Sequence, residues 1–218
     1  MLGATGAVGS HTARTLAGFP ELTRLSLLGR RPVEGLAGGA IEQHAIDILA
    51  PSSYRDLLAG HDTAICALGV GEPSKMSKAE FVRIDRDAVL DFASACKQAG
   101  VRHFELLGAA GASSTSALFY LRTKGQLEEG LKALGFERLS LFQPSMILTP
   151  TNRYGLLQAI TLFAFPLLEP VLVGPLRKAR GIRVDRLGAA IAMNVLTEAK
   201  GVETLQWDDF MRLSRGLS

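Results

Sequence analysis

An α/β protein with a doubly wound parallel sheet is the fold class this sequence predicts, on three observations. A glycine loop, Gly3-Ala4-Thr5-Gly6-Ala7-Val8-Gly9, stands behind only Met1 and Leu2. Short apolar runs then alternate with helix-like stretches as far as Pro144, and such alternation argues for a parallel sheet covered by helices on both faces. The 218 residues are 47% hydrophobic without a low-complexity block, enough to bury one substantial core. The expectation is a single domain over 1–218 in which 149–218 contributes a small substrate-side cap.

The glycine loop comes first. Glycines let a chain turn sharply out of a strand and approach a pyrophosphate whose charge rests on the N-terminus of the following helix. Gly3 and Gly6 supply the turn, and Thr5 with the amides of Gly6, Ala7 and Val8 would donate. The spacing is G-x-x-G-x-x-G rather than G-x-G-x-x-G, a pattern that ordinary turns also match, so its context must carry the argument. A helix over 8–16 and a strand over 25–28 follow in the order a βαβ unit requires. Gly29-Arg30-Arg31 closes that strand, at the place where an acidic residue binds the ribose of NAD and an arginine the 2′-phosphate of NADP. Arg30 and Arg31 therefore favour NADP(H) over NAD(H); the alternative is that both are solvated turn residues.

A strand over 41–48, with Asp47 near its end, precedes a helix over 52–59 and an apolar strand over 63–68. An amphipathic helix over 81–99 stops at Gly100, and a buried strand over 101–107 follows. A helix over 120–134 stops at Gly135, and a strand over 138–142 is ended by Pro144. Beyond Thr149 come an apolar segment, a basic stretch (Arg177, Lys178, Arg180, Arg183, Arg186) that reads as a solvated face, a helix from about Asp185 and a short helix near Asp208.

Tyr120 and Lys124 are four residues apart on a predicted helix, so both side chains emerge on one face and can act on one atom. A neighbouring ammonium and a positive nicotinamide would favour the phenolate of Tyr120 and suit it to proton transfer at a carbonyl oxygen. Lys124 could also hold the nicotinamide ribose. The pair follows the fifth strand, where a helix start faces the nicotinamide end of a dinucleotide lying across the sheet's carboxyl edge.

Other classes are excluded by what is missing. A net charge of +3 and a pI near 9.0 come without a basic-aromatic stripe, so no nucleic-acid partner is expected. Cys66 and Cys96 lack any ligand spacing and read as reduced, buried thiols; His11, His44, His61 and His103 make no metal pattern. No signal peptide is visible, which points to the cytoplasm. The apolar run 156–173 carries Gln158, Pro166, Glu169 and Pro170, interruptions that disfavour a spanning helix of about 20 apolar residues, and is read as buried or pocket-lining, with attachment to a membrane surface the lesser alternative. The expected partner is a small-molecule substrate, and the sequence leaves room for a homodimer.

The glycine loop at 3–9, the turn Ala67-Leu68-Gly69, Tyr120-Leu121-Arg122-Thr123-Lys124 and Gln143-Pro144-Ser145 together resemble an atypical short-chain dehydrogenase/reductase, in the subgroup of Tat-interacting-protein-like oxidoreductases. The resemblance covers about residues 3–196. It implies a Rossmann fold, NADP(H) as cofactor, and cofactor contacts at Gly3, Thr5, Gly6, Ala7, Val8, Arg30, Asp47, Ile48, Leu68 and Gly69, with Pro144 and Lys124 beside the nicotinamide. It implies hydride transfer between the nicotinamide and a carbonyl or alcohol, with Tyr120 as the acid; a catalytically silent NADP(H)-binding regulator is the alternative. Two departures stand out. The family's substrate-holding serine, about a dozen residues before the tyrosine, is replaced by Gly108 and Ala109, and losing one such donor costs roughly 10²–10³ in rate unless Ser113, Ser114 or a backbone amide substitutes. The first strand is shortened to Met1 and Leu2, which forgoes about four buried apolar side chains at roughly 1.5–3 kcal/mol each; a natural start upstream of Met1 is the expectation.

Overall fold

The structure, a computed structural model that describes residues 1–70, 76–149 and 174–217, turns this alternation into parallel strands. Those strands are β1 (Leu25–Gly29), β2 (Ile41–Ala45), β3 (Thr63–Cys66), β4 (His103–Leu107), β5 (Arg138–Phe142), β6 (Met146–Leu148), β7 (Gly181–Arg183) and β8 (Gly201–Leu205). β1 pairs with β2, while β3, β4, β5 and β8 form a four-stranded ladder in that order. Every pair is parallel, with Leu25 opposite Ile41, Thr63 opposite His103, His103 opposite Arg138 and Arg138 opposite Gly201. β5 is buried at every position, as a central strand covered on both faces must be.

Leu2 joins the two ladders. It bridges in parallel to Leu28 and to Cys66; its N–H donates to Ile65 O at 2.8 Å, its carbonyl accepts from Ala67 N at 2.9 Å, and Met1 O accepts from Leu28 N at 2.8 Å. A cavity of about 190 Å³ lies between the starts of β1 and β3, lined by Met1, Leu25, Ile65, Phe92, Cys96 and Val101 among others.

The helices are α1 (Ala7–Ala17), α2 (Lys78–Val82), α3 (Ala88–Gln98), α4 (Phe119–Ala133), α5 (Val184–Asn194) and α6 (Trp207–Leu213). One core joins α3 and α4 to the sheet through Phe92, Phe104, Leu127 and Leu131. The other joins α1, α5 and α6 through Val8, Leu187, Ile191, Phe142 and Phe210. Described residues beyond 149 therefore build core: α5 packs on α1, and β8 extends the main sheet.

Two expectations change. The helix over 52–59 is replaced by two 3-10 turns, Pro51–Ser53 and Arg55–Leu57, separated by Tyr54 at φ −137°. Ser53 ties the first turn back by donating to Asp47 O at 2.8 Å, and Tyr54 is fully buried against Phe92 with ring centroids 5.7 Å apart; burying that ring overrides helical spacing. The helix over 81–99 is broken by a π-turn, Arg83–Asp87, between α2 and α3. The pairs β6–β7 and β5–β8 have no counterpart in the sequence reading. The apolar run 156–173 lies outside the described residues, among which no helix is long and apolar enough to cross a membrane.

At the amino edge of the sheet a buried polar cluster anchors α5. Asn194 Nδ2 donates to Glu105 Oε1 at 2.8 Å and to Ser140 Oγ at 3.1 Å, and Arg138 bonds Asn194 Oδ1 at 2.9 Å and lies 2.7 Å from Glu203. Glu105 is fully buried with Oε2 unpartnered, and burial pushes its carboxyl up from 4.5 to about 8. A folded-state value above the unfolded one stabilises below the unfolded pKa and is lost as pH rises through the folded one. Wild type is therefore expected to lose stability relative to Glu105→Gln between pH 4.5 and 8, by up to about 1.4 kcal/mol per pH unit. Urea denaturation of both proteins across that range checks this; a pH-independent difference would mean that Glu105 is charged in the fold.

Candidate functional site

Because the strands of the main sheet run parallel, their carboxyl ends share one edge, and the predicted residues follow those ends. Gly3 leaves Leu2, Arg30 and Arg31 leave β1, Asp47 and Ile48 follow β2, Leu68 and Gly69 follow β3, Gly108 and Ala109 follow β4, and Pro144 follows β5. This edge is where a doubly wound sheet takes its ligand.

The glycine loop is shaped by contacts that a side chain would prevent. Gly3 has φ +84°, and a Cβ on it would stand 2.5 Å from Ala67 C and Leu68 N. A Cβ on Gly9 would stand 2.1 Å from Gly3 O, so α1 presses against the loop that precedes it. Gly6 donates to Gly3 O at 3.0 Å and is the N-cap of α1; no side chain caps this end and no acidic residue occupies its first turn. The first-turn N–H groups at Ala7 and Val8 thus keep their donor capacity and the positive end of the helix dipole, while Thr5 and Gly6 are exposed beside them. A pyrophosphate fits this cradle by both shape and charge.

Arg30 and Arg31 are exposed on the turn past β1. Asp47 is turned to its own backbone, with Oδ1 accepting from Leu49 N at 2.9 Å, and Ile48 packs against the core. The loop after β4 meets the one after β5 where Ala110 N donates to Pro144 O at 3.0 Å.

Tyr120 and Lys124 share one face of α4, with Lys124 Nζ 5.9 Å from the Tyr120 ring centroid. The Tyr120 ring packs on Phe81 at 5.8 Å yet the residue stays 38% exposed, whereas Lys124 is buried. Lys124 Nζ lies 2.7 Å from Asp85 Oδ2. Burial alone would push the lysine down, but the Asp85 charge and hydrogen bond hold it above its usual value. The expectation that Lys124 draws Tyr120 toward its phenolate is corrected here. Burial dominates and pushes the phenol up; Lys124 pulls it down, and Asp85 opposes part of that pull.

Ser113 and Ser114 are both engaged, within their own turn or with α4. Ser113 Oγ pairs with Thr115 Oγ1 at 3.1 Å, and the Ser114 hydroxyl bonds Glu129, as in a polar turn. The space beside Gly108 belongs to Glu128, whose Oε1 would stand 3.1 Å from a Cβ there. Gln143 Nε2 donates to both Glu128 oxygens, at 2.9 and 3.0 Å. Burial raises the Glu128 carboxyl, and the Gln143 bond offsets part of that.

Asp85 and Glu128 escaped the sequence reading, although each left a signal. Glu128 continues the Tyr120, Lys124 stripe by one more helical turn. Asp85 falls on the apolar stripe of Phe81, Val89, Phe92 and Cys96, and an acid on a buried face needs a cationic partner.

The NAD(P)H-binding family model matches residues 3–140. Over 150 residues the chain is 35% identical to protein HTATIP2 of Rattus norvegicus, covering 68% of this chain and 62% of that protein. Over 153 residues it is 32% identical to the mitochondrial protein fmp52 of Emericella nidulans, covering 67% and 65%. The matched part thus spans less than two thirds of either relative. Among solved structures, MoeE5 in complex with UDP-glucose and NAD superposes with a TM-score of 0.69 at 17% identity, over 100% of this chain and 80% of the other. Citrobacter sp. triphenylmethane reductase complexed with NADP(H) gives 0.67 at 15% identity, over 94% and 68%. At such identities the structures speak for the fold alone. With the uncapped glycine cradle at the carboxyl edge of a Rossmann-like sheet and the match over residues 3–140, the chain belongs to the NAD(P)H-binding family.

Proposed function

We propose that the protein is an NADP(H)-dependent oxidoreductase of the atypical short-chain dehydrogenase/reductase type, acting on a carbonyl or alcohol of a small, fairly apolar molecule. The observation that carries this reading is the half-exposed Tyr120 directly above the buried Lys124–Asp85 pair, on the edge that bears the glycine cradle.

When bound, the nicotinamide supplies or accepts the hydride. Gly3, Gly6 and the first turn of α1 hold the pyrophosphate; Arg30 and Arg31 meet the 2′-phosphate; Lys124 reaches the nicotinamide ribose. Tyr120 Oη delivers the proton to the carbonyl oxygen in reduction and takes it back in oxidation. Met146 and Ile147, both partly buried on β6, offer apolar contact to the substrate, while the further apolar lining expected over 156–165 lies outside the described residues. In place of the family's serine stand Gly108 and Ala109, so orientation of the substrate oxygen falls to Tyr120 and to backbone donors.

NADPH oxidation across a panel of aldehydes and ketones, run beside NADPH calorimetry, tests this reading. Turnover is expected on at least one carbonyl, with Tyr120→Phe losing about 10²-fold or more while still binding coenzyme. Full activity in Tyr120→Phe removes the tyrosine from the chemistry, and tight binding without turnover by wild type replaces the enzyme with a dinucleotide-dependent regulator. Arg30→Glu is expected to weaken NADPH about 10-fold or more, the worth of a hydrogen bond to a charged group, and to leave NADH unchanged. Equal loss for both coenzymes would show that Arg30 does not read the 2′-phosphate.

A further inference from the structure

The carboxylate of Asp85 touches two parts of the site at once. Oδ2 lies 2.7 Å from Lys124 Nζ, and Oδ1 accepts the Val70 N–H at 3.0 Å. The side chain is 1% exposed, and that of Lys124 5%. A Cβ on Gly69 would come within 3.8 Å of Oδ1, so the loop leaving β3 lies directly on the carboxylate. Asp85 sits in the π-turn Arg83–Asp87; π-turns are rare and recur at functional sites. Its neighbours leave it to this task, since Arg86 pairs with Asp87 at 2.7 Å and bonds Gln126 at 2.9 Å.

We infer that Asp85 is the positioning residue of this site: one carboxylate oxygen fixes the Lys124 ammonium and the other fixes loop 67–70, so that the dinucleotide-side loop and the Tyr120 helix are held as one unit. The inference rests on the oxidoreductase reading for its chemical meaning but not for its geometry. A buried ion pair is costly to maintain and is broken at still greater cost, so the pair locks the lysine at one height below the tyrosine. It also offsets part of the lysine's charge at Tyr120. The ionisable groups facing this pair are Tyr120 and Glu128 on α4 and Cys66 on β3. Of these, Tyr120 lies closest to solvent; burial keeps its phenol protonated, and Asp85 opposes the downward pull of Lys124.

A phenol held protonated favours carbonyl reduction. The carbonyl π bond breaks as its carbon gains the hydride and its oxygen the Tyr120 proton, with both electrons drawn from the reduced dinucleotide; the phenolate then regains a proton from water. The opposite direction needs the phenolate at the outset.

Phenolate absorbance titration of the whole protein, with the matching Tyr120→Phe spectrum subtracted to isolate Tyr120, tests the inference without substrate or coenzyme. In wild type the midpoint is expected above the usual 10. In Asp85→Asn, which retains an oxygen for Val70 N–H but leaves Lys124 unopposed, it is expected to fall by about one pH unit or more. The double variant Asp85→Asn/Lys124→Gln removes both charges and is expected to titrate with wild type, which keeps the test decisive if the single variant fails to fold. A wild-type midpoint below 10, an unmoved or raised midpoint in Asp85→Asn, or a double variant displaced by about one unit or more overturns the charge offset. In turnover, Asp85→Asn is expected to lower kcat for reduction more than it raises KM and to move the oxidation profile to lower pH. The expected titrations in a protein that turns over no carbonyl would retain the Asp85 geometry and reject the oxidoreductase reading.

Discussion

Continuity of the sheet through Leu2 is the constraint on which the site depends. Among the described residues it alone bridges both β1 and β3, and without it the β1–β2 pair and the four-stranded ladder share no backbone hydrogen bonds. Gly3 is the next residue along the chain. The position of the phosphate cradle relative to loop 67–70 is therefore set by one ladder position and sharpened by the close approach of Gly3 to Ala67. A parallel sheet gives this arrangement a direction: seven chain segments, Leu2, β1 to β5 and β8, end on one edge, the edge where a doubly wound sheet takes its ligand.

Charge organises the site's second half. α4 carries Tyr120, Lys124 and Glu128 down one stripe, and each meets a different partner: the open edge, Asp85 from the π-turn, and Gln143 at the end of β5. No charge in this stripe is buried unmatched. The polar groups at the opposite edge, Glu105, Asn194, Arg138 and Glu203, fix α5 and β8 to the sheet, and α5 in turn supports α1. Two buried polar systems thus lie at opposite edges: one secures the scaffold, the other fixes Lys124 beside Tyr120.

Much of this was legible in the residues. The strand over 138–142 coincides with β5, and the helix over 120–134 differs from α4 by a residue at each end, because apolar periodicity and glycine stops act locally. Gly100 and Gly135 stop their helices with φ of +89° and +63°. The stretch 52–59 was misread because burial of Tyr54, a non-local demand, outweighed its helical spacing. β8 was invisible for a similar reason: its burial pattern is mostly exposed, and only hydrogen bonding to β5 makes it a strand. The partners of the Ser113 and Ser114 hydroxyls, Thr115 and Glu129, were likewise a matter of packing.

By itself the sequence determined the α/β class, the phosphate-binding glycine loop and the Tyr120–Lys124 stripe, since each depends on spacings within a few residues of one another. Tertiary structure alone decided that Lys124 is paired with Asp85, thirty-nine positions earlier, that burial holds the Tyr120 phenol above its usual value, and that Glu128 fills the space beside Gly108. Proton affinity depends on which charges stand within a few ångströms and how much water is excluded. Both are properties of the packed chain, and neither can be read from residue order.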